Sequence, residues 1–315
     1  PYASYAAAGT GAIYVLQGPV TADLTLDTPT AVRLDGVSAS DNLGGAMASG
    51  DMDGDGHAEL LAGAASDDEG GSSAGAAYVI PFDGAASGSV ASVAHKLVGE
   101  TAGDLFGTAV AFGDFDGDGQ DDLVVSGTYS DGGGSAAGGV WLFSGPLSWG
   151  ADASWSDAKF SGDDASDYAG TALGRGDLTG DGLDDLLVGA SGDDDGGSGS
   201  GAVYILAEPW GAADLTVADA KVTGAAASDA LGSGTILVLD LDGDGWGDLV
   251  TAARGADGDV SDAGAVYAWL GPVAADTSAS VADMTLLGQG SNDYAGATLA
   301  SAGDLDADGH VDLLV

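Results

Sequence analysis

The chain has 315 residues, with fifty acidic side chains against six basic ones and a formal net charge of -44. That balance excludes nucleic acid and anionic membrane surfaces as partners, because both recruit clustered Lys and Arg. The absence of Cys excludes disulfides and thiolate metal sites, and no apolar run approaches the roughly 20 residues that span a bilayer. The chain starts at Pro1 without an initiator Met, a basic stretch or an apolar leader, which reads as a mature product or an excised piece. Length alone suggests two ordinary domains or one large fold. Acidity of this kind often means disorder. The 45% hydrophobic content and the recurring short Val/Leu/Ile runs argue for a folded chain instead.

In chain order, the first predicted element is a strand at Ile13 to Leu16 that carries Tyr14, and a weaker strand follows around Arg33. From Asp41 onward one unit recurs. Its acidic segment reads GDMDGDGHAELLAGA from Gly50, GDFDGDGQDDLVVSG from Gly113, GDLTGDGLDDLLVGA from Gly176, LDLDGDGWGDLVTAA from Leu239 and GDLDADGHVDLLV from Gly303. The first Asp of each, Asp51, Asp114, Asp177, Asp240 and Asp304, follows the last at spacings of 63, 63, 63 and 64. Three further columns keep this register. A small or apolar residue followed by Gly precedes each loop (Leu43-Gly44, Phe106-Gly107, Ala169-Gly170, Leu231-Gly232, Ala295-Gly296). An Asp stands upstream at Asp41, Asp104, Asp167, Asp229 and Asp293, and an aromatic recurs at Tyr14, Tyr78, Trp141, Tyr204 and Tyr267.

Within the second copy the predicted strands are Thr108 to Phe112, Asp122 to Val125, Val140 to Phe143 and, more weakly, Ala158 to Gly162. Turn-rich spacers separate them and no helical periodicity is sustained. Four short strands per 63-residue unit make an antiparallel sheet that cannot bury its faces alone. Stacked radially, such sheets give an all-β propeller of four-stranded blades; a linear β-solenoid is the competing arrangement. The chain divides into a half-repeat 1–41, repeats 42–104, 105–167, 168–229 and 230–293, and a half-repeat 294–315, all in a single domain. The end pieces are complementary, the C-terminal one supplying strands one and two and the N-terminal one strands three and four. Two arrangements follow: a closed ring of five blades, or an arc cut from a longer, typically seven-bladed, array.

The acidic loop reads D-x-D-G-D-G-x-x-D/E, with Asp114, Asp116, Asp118 and Asp122 in the second copy. Carboxylates this close repel unless a hard cation sits between them, and an all-oxygen shell of this density suits Ca²⁺ better than Mg²⁺. Carboxylates at positions 1, 3, 5 and 9 and the position-7 carbonyl, here that of Gln120, are the expected ligands. An EF-hand needs Glu at position 12 and flanking helices. Position 12 is Ala62, Val125, Val188, Thr251 or Val315, so that reading fails. Thr179 replaces an acid in the third loop, which weakens that site, and Ala307 replaces a loop Gly in the fifth.

The Phe106-Gly107 pair, the GDFDGDGQDDL loop and the Val188 to Ala190 end resemble the FG-GAP repeat, which builds the N-terminal β-propeller of integrin α chains and occurs in many bacterial surface proteins. The resemblance implies four-stranded antiparallel blades with Ca²⁺ in the hairpin between the first two strands, up to five ions in all. By position the implied ligands are Asp51, Asp53, Asp55, His57 and Glu59; Asp114, Asp116, Asp118, Gln120 and Asp122; Asp177, Thr179, Asp181, Leu183 and Asp185; Asp240, Asp242, Asp244, Trp246 and Asp248; and Asp304, Asp306, Asp308, His310 and Asp312. His57, Gln120, Leu183, Trp246 and His310 would act through their carbonyls. The pattern departs from the family where only the second copy has a true Phe-Gly and where the fourth copy ends in Thr251-Ala252-Ala253-Arg254.

Other chemistry is thin. His57, His95 and His310 are the only histidines, no Ser-His-Asp set is ordered by spacing, and no Gly loop carries a phosphate-binding Lys. Asp67, Asp68 and Glu69, and Asp193, Asp194 and Asp195, form acid groups that a glycosidase reading would use, although solvated linkers are the plainer expectation. Four of the six cations share a column, Arg33, Lys96, Lys159 and Lys221, with Thr285 in the last copy. Pairing with an acid of a neighbouring blade is expected there, the alternative being a cationic binding face. Arg175 and Arg254 break the pattern. The aromatic column is expected between blades, while Trp149, Trp155 and Trp210 lie in variable spacers. These features predict a non-enzymatic, Ca²⁺-stabilised propeller of an extracellular or cell-surface protein, serving adhesion or scaffolding. The loops Asp67 to Ser73 and Asp193 to Gly199 are candidates to meet a protein or glycan partner. A lectin-type propeller and an accessory domain of a larger secreted enzyme are the alternatives.

Overall fold

The computed structural model describes residues 9–16, 18, 31–82, 87–147, 152–258 and 260–315. Pro1 and Trp149 lie outside the described residues. The chain is all-β. Four consecutive antiparallel sheets, called blades 1 to 4 here, each run inner, second, third and outer strand in chain order. Blade 1 comprises Met47–Gly50, Glu59–Ala64, Ala76–Ile80 and His95–Val98; blade 2 comprises Phe106–Gly113, Asp122–Gly127, Gly139–Phe143 and Ala158–Ser161. Blade 3 comprises Ala169–Gly176, Asp185–Ala190, Ala202–Leu206 and Ala220–Thr223; blade 4 comprises Leu231–Leu239, Asp248–Ala253, Ala265–Trp269 and Met284–Leu287. A half-sheet precedes them (Ala12–Leu16 with Ala31–Asp35) and another follows (Ala300–Gly303 with Asp312–Leu314). Among the described residues no strand pairing joins the two half-sheets. The sheets and their order are consistent with a propeller.

The second and third strands are buried on both faces, which is why DLLVGA and AVYIL read as unbroken apolar runs rather than as alternation. The core is accordingly a series of layers between successive sheets. Tyr78 packs with Ile13 and Leu34 of the N-terminal half-sheet, Trp141 with Leu61 and Leu97 of blade 1, and Tyr204 with Val124 and Phe160 of blade 2. Tyr267 meets Leu187 and Val222 of blade 3. The aromatic column therefore fills the space between blades, and truncating a ring such as Trp141, which is 0% exposed, costs about 3–5 kcal/mol.

Two inter-blade devices escaped the sequence reading. First, among the described residues the N-terminal half-sheet, blade 2 and blade 3 each gain a parallel strand beyond their antiparallel ones. Short segments of the following blade, Gly88–Ser89, Ala212–Asp214 and Thr277–Ser278, pair in parallel with the outer strand of the blade before. This covers an otherwise open sheet edge. Single-turn 3₁₀ helices follow, at Val90–Ser92, Leu215–Val217 and Ala279–Val281. Second, the start of each third strand bridges to the inner strand of the next blade, as in Gly75 to Phe106 and Gly138 to Ala169. The backbones approach so closely that a Cβ on Gly75 would lie 2.1 Å from the Phe106 carbonyl oxygen, and Gly75 also has φ +85°. Only Gly satisfies both conditions.

Candidate metal centre

Each acidic loop joins the inner strand of a blade to its second strand. The carboxylates first shape the loop itself. The position-1 carboxylate accepts the position-6 N–H in every copy (Gly56 to Asp51, Gly119 to Asp114, Gly182 to Asp177, Gly245 to Asp240, Gly309 to Asp304). The position-5 carboxylate accepts the position-7 N–H, as from His57 to Asp55 and from Trp246 to Asp244. The position-9 acid reaches back to the position-2 N–H, at 2.9 Å from Met52 to Glu59 and 3.0 Å from Phe115 to Asp122. Glycines at positions 4 and 6 take positive φ to allow this path, and Ala307 is held at φ 63° where the other loops have Gly.

The result is convergence. Ligand atoms of Asp51, Asp53 and Glu59 lie within 4.8 Å of one another, as do those of Asp114, Asp116 and Asp122, and those of Asp240, Asp242 and Asp248. In the fifth loop the grouped acids are Asp304, Asp306 and Asp308, without Asp312. Positions 1, 3 and 9 thus form the tight group in three loops, with Asp55, Asp118 and Asp244 outside it. The third loop brings no such triplet together among the described residues. There the Thr179 hydroxyl donates to Asp185 Oδ1 at 3.2 Å, and the Thr179 and Leu178 amides donate to Oδ2 at 2.8 and 2.7 Å. The Thr179 hydroxyl stands where the other loops place a position-3 carboxylate, and it bonds Asp185 instead of offering a third acid.

These groups fit a hard cation by an independent observation. Asp51 Oδ1 is buried and has no hydrogen-bond partner, an arrangement that costs stability unless something outside the protein satisfies it. The electrostatics agree. Burial pushes Asp122 and Asp185 up from 3.8 to about 6, and burial followed by the charges of Asp53 and Asp51 raises Glu59. A divalent ion would reverse the penalty that raises them.

The loops are also tied to one another. The Asp121 amide donates to the Asp51 carbonyl at 3.0 Å, and the Asp184 amide to the Asp114 carbonyl at 3.3 Å. Arg175 bridges the same rim, 2.9 Å from Asp184 and 3.5 Å from Asp121. The position-7 side chains of Gln120, Leu183, Trp246 and His310 lie over the position-4 glycines of the preceding loops. The apolar residue at position 2 (Met52, Phe115, Leu178) inserts into the next inter-blade layer and is at most 3% exposed, whereas Leu305 of the last loop is 67% exposed. That column is written plainly in the sequence, between two acids, and was passed over.

The cation column resolves as pairing. Lys96, Lys159 and Lys221 sit 5.5, 4.6 and 4.6 Å from the ring centroids of Tyr78, Trp141 and Tyr204, their cross-strand partners, and Arg33 lies 5.6 Å from Tyr14. Lys96 binds Asp67 and Glu69 at 2.7 Å, within its own blade. Lys159 binds Glu100 at 2.6 Å, across the repeat boundary. Lys221 does both, reaching Asp193 and Asp195 at 2.6 Å and Asp163 at 3.6 Å. Asp67 and Asp193 are therefore buried partners, not solvated linker acids. The remaining linker acids brace their own turns, Asp68 accepting the Ser73 amide and Asp194 the Gly199 amide. Asp163, Asp167 and Asp193 also draw close enough to hold an ion, but the Lys221 ammonium already supplies the charge there. Burial, then a hydrogen bond shared with Asp163, raises Asp167. Trp155 is exposed, and Trp210 is half-buried with its indole bonded to the Phe115 carbonyl.

No helix of the described residues is long and apolar enough to cross a membrane. The FG-GAP repeat family model matches residues 43–80, 106–143, 169–206 and 233–269. Each match runs from the inner strand through the acidic loop to the third strand of one blade, the segment that carries the converging carboxylates. With four copies matched in register, the chain carries four FG-GAP repeats.

Proposed function

We propose that the chain is a non-enzymatic, calcium-stabilised β-propeller of an extracellular or cell-surface protein, working in adhesion or as a scaffold for binding. The observation that carries this reading is the convergence of three acids in four of the five loops, with Asp51 Oδ1 buried and unbonded in one of them. Bound Ca²⁺ would supply charge neutralisation and a tie between the two strands of each hairpin. Asp51, Asp53 and Glu59 would hold it in the first loop, their counterparts in the second and fourth, and Asp304, Asp306 and Asp308 in the fifth, with the position-7 carbonyls completing the shell. Partly exposed sites of this kind suit the millimolar calcium found outside cells. The test is thermal unfolding with calcium and with excess EDTA. Chelation should lower the melting temperature by at least about 10 °C, and added Ca²⁺ should restore it. An unchanged melting curve would sink the reading.

A further inference from the structure

Successive inter-blade layers differ at one place near the loops. Between blades 2 and 3 the Trp210 indole packs against Phe115, and its Nε1 donates to the Phe115 carbonyl at 3.2 Å. One 63-residue step earlier, between blades 1 and 2, the same two positions hold Leu147 and Met52. Both side chains are smaller, and a cavity of about 260 Å³ opens beside them. Met52, Val79 and Leu147 supply apolar wall, and Asp53, Glu59 and His95 form the polar side. Among the described residues no donor reaches the Met52 carbonyl, the counterpart of the one that Trp210 satisfies. His95 is also out of pattern, since Val32, Ala158, Ala220 and Met284 occupy its column. Apolar cavities of about 150 Å³ take up benzene, so this space is large enough for a ring.

We propose that this cavity binds a small, flat, uncharged heteroaromatic ring with one N–H donor, seated where the Trp210 indole sits in the next layer. The walls match the faces of the ring, and the Met52 carbonyl is the acceptor for its N–H. The cavity shares Asp53 and Glu59 with the first proposed calcium site, but what carries the inference is the comparison of two inter-blade layers.

Indole is the probe, titrated into the full chain in calcium and followed by calorimetry and saturation-transfer NMR. Saturable one-to-one binding is expected. Leu147→Trp and Met52→Phe each install the residue that fills the next layer, and each should weaken indole binding at least tenfold without lowering the melting temperature. If one variant does not fold, the other decides. The proposal is overturned if the unaltered chain shows no saturable binding, or if the folded variants bind indole as well as it does.

Discussion

Replacing Lys221 by Thr removes the cation of blade 3 and leaves its acids in place. The ammonium lies 2.6 Å from Asp193 and Asp195 and 3.6 Å from Asp163. Asp195 is 66% exposed, so its share is small. The Asp193 side chain is only 2% exposed, and stripping a buried carboxylate of its counter-charge costs about 3–5 kcal/mol. The Tyr204 hydroxyl stays 2.7 Å from Asp193, which places the expected loss near the lower end, about 3 kcal/mol. Blade 4 shows how the fold does without the cation, because Thr285 there is matched by Ala256 at the Asp193 position. The double replacement Lys221→Thr with Asp193→Ala should therefore recover most of the loss, to within about 1 kcal/mol of the unaltered chain. Urea unfolding in saturating calcium, followed by tryptophan fluorescence and circular dichroism, measures all three proteins. The reasoning is refuted if the single replacement costs less than about 1 kcal/mol, or if the double is no more stable than the single.

Thr179→Asp should add one ion to the stoichiometry found by terbium luminescence and native mass spectrometry; an unchanged count would show that Thr179 does not limit the third loop. Ala307→Gly relieves a positive φ and should stabilise the chain by about 1 kcal/mol while tightening terbium binding, with no gain in either counting against strain at that turn. In metal-stripped protein, Asp122 and Asp185 hold their protons more tightly folded than unfolded. The stabilisation these two protons contribute is fully present below pH 4 and is lost as pH rises through 6, by about 3 kcal/mol for each group. The stripped protein should melt higher at pH 5 than at pH 7, and Asp122→Asn should flatten the dependence. A higher melting temperature at pH 7 would contradict the burial of these acids.

The repeat, the second and third strands and the acidic loops were legible because each is written locally. Their apolar runs are short and continuous, and Gly and Asp bound them at a fixed period. The covering strands were not legible, because Gly88–Ser89, Ala212–Asp214 and Thr277–Ser278 are only two or three residues long and each ends on a capping residue, Ser89, Asp214 or Ser278, that reads as an ordinary turn. Asp67 and Asp193 were misread for a different reason. An acid beside Gly and Ser looks like a solvated turn until folding carries a Lys from the outer strand over it. The grouping of positions 1, 3 and 9 without Asp55, Asp118 and Asp244 was not legible, because it depends on how the folded loop turns each carboxylate.

The parallel segment that blades 1, 3 and 4 each lay along the sheet before has a bearing on how such a chain grows. Among the described residues, the hydrogen bonds that join two blades span less than two repeat lengths, and their ends recur at similar offsets within the 63-residue period. A tandem duplication of one period therefore inserts a blade with all its edge pairings intact, wherever in the period the copy happens to begin. An insertion of any other length puts an outer strand out of register with the segment meant to cover it. Recombination between copies is thus filtered by length and not by phase, which favours arrays whose spacing stays as even as the one seen between Asp51 and Asp304.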